Sequence, residues 1–138
     1  MRNTIYLAAT LVALASMTAA VSAPTAEPAA AAGHDGAMLA LASHSGCLTC
    51  HSIKPSAASD PGTRPVGPAW EDVASKYRGQ KGAVRKLTAT VMQGSNPYQS
   101  HWKGKVSGLA MPPNAVAINR QDARALVHWI LSLDGRDI

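Results

Sequence analysis

Gly46-Cys47-Leu48-Thr49-Cys50-His51 decides how the rest of the chain is read. Two thiols three residues apart, followed at once by an imidazole, form the pattern to which c-type haem is attached. On a helical turn, residues at that spacing share a face, so both sulfurs can reach the vinyl groups of one porphyrin edge. His51, the next residue, then projects under the ring, where its Nε2 can bind iron. Three other chemistries use paired cysteines. A redox dithiol of the thioredoxin type follows a strand, and Met38 to Ser45 has no strand pattern. Zinc needs four ligands, and no second Cys-x-x-Cys or His-x-x-x-His completes the set. A structural disulfide suits an oxidising compartment but leaves His51 without a role.

The first residues point to such a compartment. Arg2 gives a short positive region, Ile5 to Ala20 is mostly apolar, and Val21-Ser22-Ala23 fits a small-x-small cleavage site. Residues 1–23 are therefore expected to be a secretory signal peptide, cut after Ala23 and leaving no membrane span. The competing reading is an uncleaved anchor, but the run is at the short end of the ~17–25 residues that a spanning helix needs. Haem is joined to such motifs outside the cytoplasm, so motif and signal together imply a periplasm. Residues 24–34, rich in Ala and Pro without periodicity, read as a flexible leader, and 35–138 as one folded domain.

A domain of about 100 residues has a limited core of its own. This chain has no Phe and few large aliphatics, so a large non-protein hydrophobe at its centre is a reasonable inference. Removing Arg2 with the signal leaves 12 Lys+Arg against 8 Asp+Glu, a formal +4. Lys76, Arg78, Lys81, Arg85 and Lys86 read as a solubilising group, while Lys103 and Lys105 are placed to steer an acidic partner. Nucleic acid is not an expected partner, because no aromatic and basic residues interleave.

Four helical segments are expected and no strand. The first runs from Asp35, a candidate N-cap, through Met38, Leu39 and Leu41 into the cysteine motif. The second spans about 69–78, with Pro68 at its entry, Glu71 and Asp72 in the first turn, and Lys76 and Arg78 in the last. The third spans about 82–93, with Val84, Leu87 and Val91 on one face and Gly94 as its stop. The fourth starts at Asn119 as N-cap and carries Ala123, Leu126, Val127, Ile130 and Leu131 at helical spacing. The long irregular stretches 52–67 and 95–117 make sense if they wrap a flat cofactor instead of each other.

An iron held by His51 on one side needs a donor on the other. Met111 stands out in Ala110-Met111-Pro112-Pro113-Asn114, because two prolines stiffen the backbone that would hold a weak thioether. His101 lies in the same loop and is the alternative; His34, His44 and His128 are less well placed. A thioether favours Fe(II) and raises the reduction potential, whereas two imidazoles would lower it.

At these residues the chain resembles a class I cytochrome c, nearest the small bacterial c551/c552 type. The likeness covers about 37–134. Beyond the ligands it rests on Val66-Gly67-Pro68-Ala69-Trp70, Asp72-Val73-Ala74-Ser75-Lys76-Tyr77, Gly94-Ser95, Trp102, Met111-Pro112-Pro113-Asn114 and His128-Trp129-Ile130-Leu131-Ser132. It implies an all-α, single-domain class I cytochrome c fold with about four helices wrapped around one covalently bound haem c. It also implies that the Pro68 carbonyl accepts the Nδ1 proton of His51, that Asn114 hydrogen-bonds near Met111, and that Trp102 reaches a haem propionate. Trp129 and Leu126 would pack the terminal helix on the first helix and the haem, packing being the whole role of Trp129. The connections Ser52 to Arg64 and Trp102 to Met111 are longer than the family pattern, and Thr90 stands where relatives often carry a base that contacts a propionate.

The expected function is electron transfer without substrate chemistry, the iron cycling between Fe(III) and Fe(II) in exchange with periplasmic redox proteins bearing acidic surfaces. Electrons would enter at the haem edge that carries the thioethers. Two rivals predict different behaviour. A dedicated haem subunit of a periplasmic oxidoreductase, for example a sulfite dehydrogenase-type molybdoenzyme, would stay bound to its partner at high salt. A haem enzyme or gas sensor with a labile sixth ligand would bind carbon monoxide readily.

Overall fold

The computed structural model describes residues 27–56 and 64–133, and the side chains from Ala30 onward. The expected signal peptide lies outside the described residues. Four α-helices follow one another: α1 (Glu27–His44), α2 (Trp70–Tyr77), α3 (Ala83–Gln93) and α4 (Arg120–Leu131). Short 3-10 turns occupy Cys47–Thr49 and Pro97–Gln99, and there is no strand among the described residues.

The terminal helix organises the rest. Asn119 caps α4, its Oδ1 accepting from the Asp122 amide at 2.9 Å while its Nδ2 donates to Asp122 Oδ2 at 2.7 Å. That reciprocal pair satisfies an amide the helix cannot pair internally. From this start Ala123, Leu126, Val127, Trp129 and Ile130 are buried, and α4 packs against α1, α2 and α3. The core they enter contains Ala42 of α1, Trp70, Val73 and Tyr77 of α2, and Ala83 of α3. Trp129 and Leu126 are almost fully enclosed there. Truncating either to Ala should cost about 3–5 kcal/mol, the transfer loss plus the void.

Helix α1 begins earlier than expected. Residues 27–34, read from composition as flexible leader, are helical, and Asp35 lies inside the helix instead of capping it. The reason is intrinsic propensity: Ala29 to Ala32 is a run of the strongest helix former. Packing plays no part, since Ala30 to His34 are exposed and a Cβ added at Gly33 would meet nothing within 4 Å.

Asp35 is used differently. Its Oδ1 accepts a 2.6 Å hydrogen bond from the Trp129 indole N–H, which ties α1 to α4. Packing is therefore not the whole role of Trp129. The same indole meets Trp70 edge-on, with ring centroids 5.7 Å apart at 82°, a favoured geometry for aromatic quadrupoles. Trp70 in turn stacks on His51 at 6.0 Å, so the cysteine motif is anchored to the core through aromatic rings.

Candidate functional site

A cleft of about 440 Å³ opens between the cysteine motif, α2, α3, α4 and the loop 94–112. Cys47, Cys50, His51, Pro68, Trp102 and Met111 all line it. Asn114 does not; it stands behind the wall and acts on the loop. His101 lines the cleft as well, whereas His34, His44 and His128 do not.

The His51 side is built from backbone. Cys50 N and His51 N both donate to the Cys47 carbonyl, at 3.3 and 3.1 Å, which coils the motif so that its three functional side chains leave one short turn. The next strand of chain returns beneath it. Gly67 N donates to Cys50 O at 2.8 Å, Trp70 N to Ser52 O at 2.9 Å and Glu71 N to Ile53 O at 3.0 Å. This return carries the Pro68 carbonyl to 2.7 Å from His51 Nδ1. A carbonyl can only accept, so the proton is on Nδ1 and the Nε2 lone pair is free for a metal. Burial pushes the His51 pKa below its ordinary value, the Pro68 bond opposing more weakly. The neutral, coordinating form is favoured.

Gly67 makes this approach sterically feasible. A Cβ there would lie 2.8 Å from His51 Cε1, 2.9 Å from His51 Nδ1 and 2.9 Å from Cys50 O. The sequence presents Gly67 only as part of a motif; its role emerges from a contact 16 residues back along the chain. Trp70, beneath the imidazole, was equally silent in sequence.

The Met111 side is held by polar hooks at the end of α3. Ser95 N donates to Met111 O at 2.9 Å and Met111 N donates to Ser95 Oγ at 2.8 Å. Asn114 N donates to Val91 O at 3.0 Å, and its Nδ2 donates to Pro112 O at 2.7 Å. Asn114 thus fastens the residue next to Met111. Gly94 takes φ 81°, where a Cβ would meet Met111 O at 2.8 Å. Farther along, Ser107 N and Gly108 N donate to Pro65 O and Val66 O, at 2.8 and 3.0 Å, clasping the two long connections together.

The alternatives to haem find little support in this geometry. Cys47 and Cys50 are not disulfide-bonded. Burial pushes the Cys47 thiol up, helped by the neighbouring Cys50, whereas a catalytic dithiol needs an acidic one. Among the described residues no three His, Cys, Asp or Glu converge as a metal cluster, which leaves zinc without a site. Two free thiols, an imidazole with a free Nε2 and an apolar cleft do fit a covalently held porphyrin.

A sequence model of the family described as cytochrome c matches residues 34–134. The chain belongs to the cytochrome c family. It is 42% identical over 95 residues to cytochrome c-551 of Allochromatium vinosum, covering 69% of this chain and 84% of that one. It is 38% identical to cytochrome c-551 of Pseudomonas aeruginosa, covering 67% and 72% of the two chains. The crystal structure of Nitrosomonas europaea cytochrome c552 superposes with a TM-score of 0.53 at 34% identity, covering 70% of this chain and 99% of that one. The protein is thus a small class I, c551/c552-like cytochrome, all-α, with one covalently attached haem c, and an electron carrier with redox partners. No helix among the described residues is long and apolar enough to cross a membrane.

Proposed function

We propose that this cytochrome is a periplasmic one-electron carrier whose haem is bound through Cys47 and Cys50, with His51 and Met111 as the axial iron ligands. The observation that carries the reading is the His51–Pro68 hydrogen bond at 2.7 Å, which frees Nε2 in a cleft that Met111 also lines. When bound, the haem supplies a single Fe(III)/Fe(II) couple.

Every other contribution comes from the chain. Pro68 fixes the tautomer and tilt of His51 and makes the imidazole a better donor. Ser95, Asn114 and the Pro112-Pro113 pair hold Met111 in place, so a weak ligand is presented at small entropic cost. Val73, Leu126, Val127 and Ile130 line the cleft and exclude water, which favours the less charged, reduced iron. Trp102 lines the same cleft, where its indole can serve a propionate. Lys103 and Lys105 are exposed on the long connection and suit an acidic partner surface. Export of the chain by the signal at residues 1–23 belongs to the same reading.

Replacing Met111 tests it. Met111→Ala should abolish the far-red absorption of a ferric thioether complex, lower the potential and let carbon monoxide bind the reduced protein. An unchanged spectrum would remove Met111 as ligand and turn attention to His101.

A further inference from the structure

Haem is an amphipathic plate. The edge that reacts with Cys47 and Cys50 is apolar, but two propionates elsewhere on the ring are carboxylates. Taking carboxylates even partly out of water is costly without cations or donors to meet them. The base that relatives often carry near position 90 is absent here, and Thr90 Oγ1 donates to Lys86 O at 3.2 Å, within its own helix.

The cleft supplies a replacement. No Asp or Glu is among its described lining residues, and the side chains there that can carry positive charge are Lys86, His51 and His101. His51 is committed to Pro68. Lys86 sits one helical turn before Thr90, and its Nζ lies 5.7 Å from the centre of the Tyr77 ring. His101 reaches the same ring from the loop, edge-on at 6.1 Å and 80°. Tyr77 is buried and also lines the cleft.

From this arrangement we infer that Lys86 and His101, both seated on Tyr77, form the carboxylate-binding end of the cleft and receive the haem propionates. Trp102, proposed above to serve a propionate, lines the same cleft and adds a neutral N–H donor, and the other cations nearby do not compete. Lys76 of α2 lies over the Trp102 ring at 5.5 Å and lines the neighbouring depression instead. From α4 only Leu126, Val127 and Ile130 enter the cleft. The inference rests on the covalent haem of the family and on a sixth donor other than His101.

The test is a potentiometric titration of the holoprotein across the neutral pH range. Without the Lys86 charge the oxidised iron is less disfavoured and a propionic acid ionises less readily. Lys86→Met should therefore lower the midpoint potential and move the pH-dependent step of the potential upward. His101→Ala should move the same step in the same direction. Lys81→Met, an exposed lysine outside the cleft, should move neither. Adding Thr90→Lys to Lys86→Met should restore both values. An unmoved step in Lys86→Met overturns the inference, as does an equal shift in Lys81→Met. Should Lys86→Met not accumulate with haem, an unmoved step in the exposed-site variant His101→Ala overturns it instead.

Discussion

The two walls of the cleft are made in different ways. On the His51 side the imidazole is local to the cysteine motif, its proton is held by Pro68, and its ring rests on Trp70, which meets the buried Trp129. On the Met111 side the loop is held by hydrogen bonds from Ser95 and Asn114 at the end of α3. His51 is therefore part of the core, and Met111 is suspended from it. Damage to the first wall should register as lost stability, and damage to the second as changed iron chemistry with the fold retained.

The largest effect tests what both walls depend on. Cys47→Ala with Cys50→Ala should abolish haem retention under denaturing conditions, read by haem stain on a denaturing gel. Gly67→Ala comes next. The added Cβ has backbone on one side and, on the other, a ring held by Pro68 and Trp70, so neither yields easily. A loss of about 1–3 kcal/mol is expected, the usual range for overpacking, measured as a lower denaturation midpoint.

Gly94→Ala should cost about 1–3 kcal/mol, because positive φ with extended ψ is a region essentially reserved for glycine, and its added Cβ would press on Met111 O. Its signature should be a weakened thioether band while the haem stays attached. If Gly67→Ala erased that band and left stability unchanged, the contrast between the walls would be inverted.

Two smaller effects lie in the core behind the walls. Asp35→Ala leaves the Trp129 indole N–H without its acceptor and should cost about 1–2 kcal/mol. Thr88 Oγ1 is buried with no hydrogen-bond partner. Thr88→Val keeps the shape and removes that penalty, so it should raise stability by about 1 kcal/mol. Both can be read from thermal or denaturant unfolding of the holoprotein.

Which parts were legible in the sequence follows from the range of the interactions involved. Helix α4 could be read almost residue by residue, because a cap and an apolar stripe are local signals, and α2 and α3 nearly as well. The cysteine motif and the Met-Pro-Pro loop could be singled out because covalent and ligand chemistry constrain residue type at fixed spacing, and the fold brings both to one cleft. The start of α1 was not, since an alanine run has no periodicity and its composition resembles that of a linker. Gly67, Asp35 and the second role of Gly94, beside Met111, could not be assigned for another reason. Each owes its role to an atom brought close by the fold, in the case of Asp35 from a residue 94 positions away.

The clasp between Ser107-Gly108 and Pro65-Val66 has a mechanical consequence. It joins the segment leading to Met111 to the one that, two residues later, carries the carbonyl aiming His51. A protein pressing on the exposed loop would thus tug on both proposed iron donors at once, so that Met111 and His51 would shift in concert.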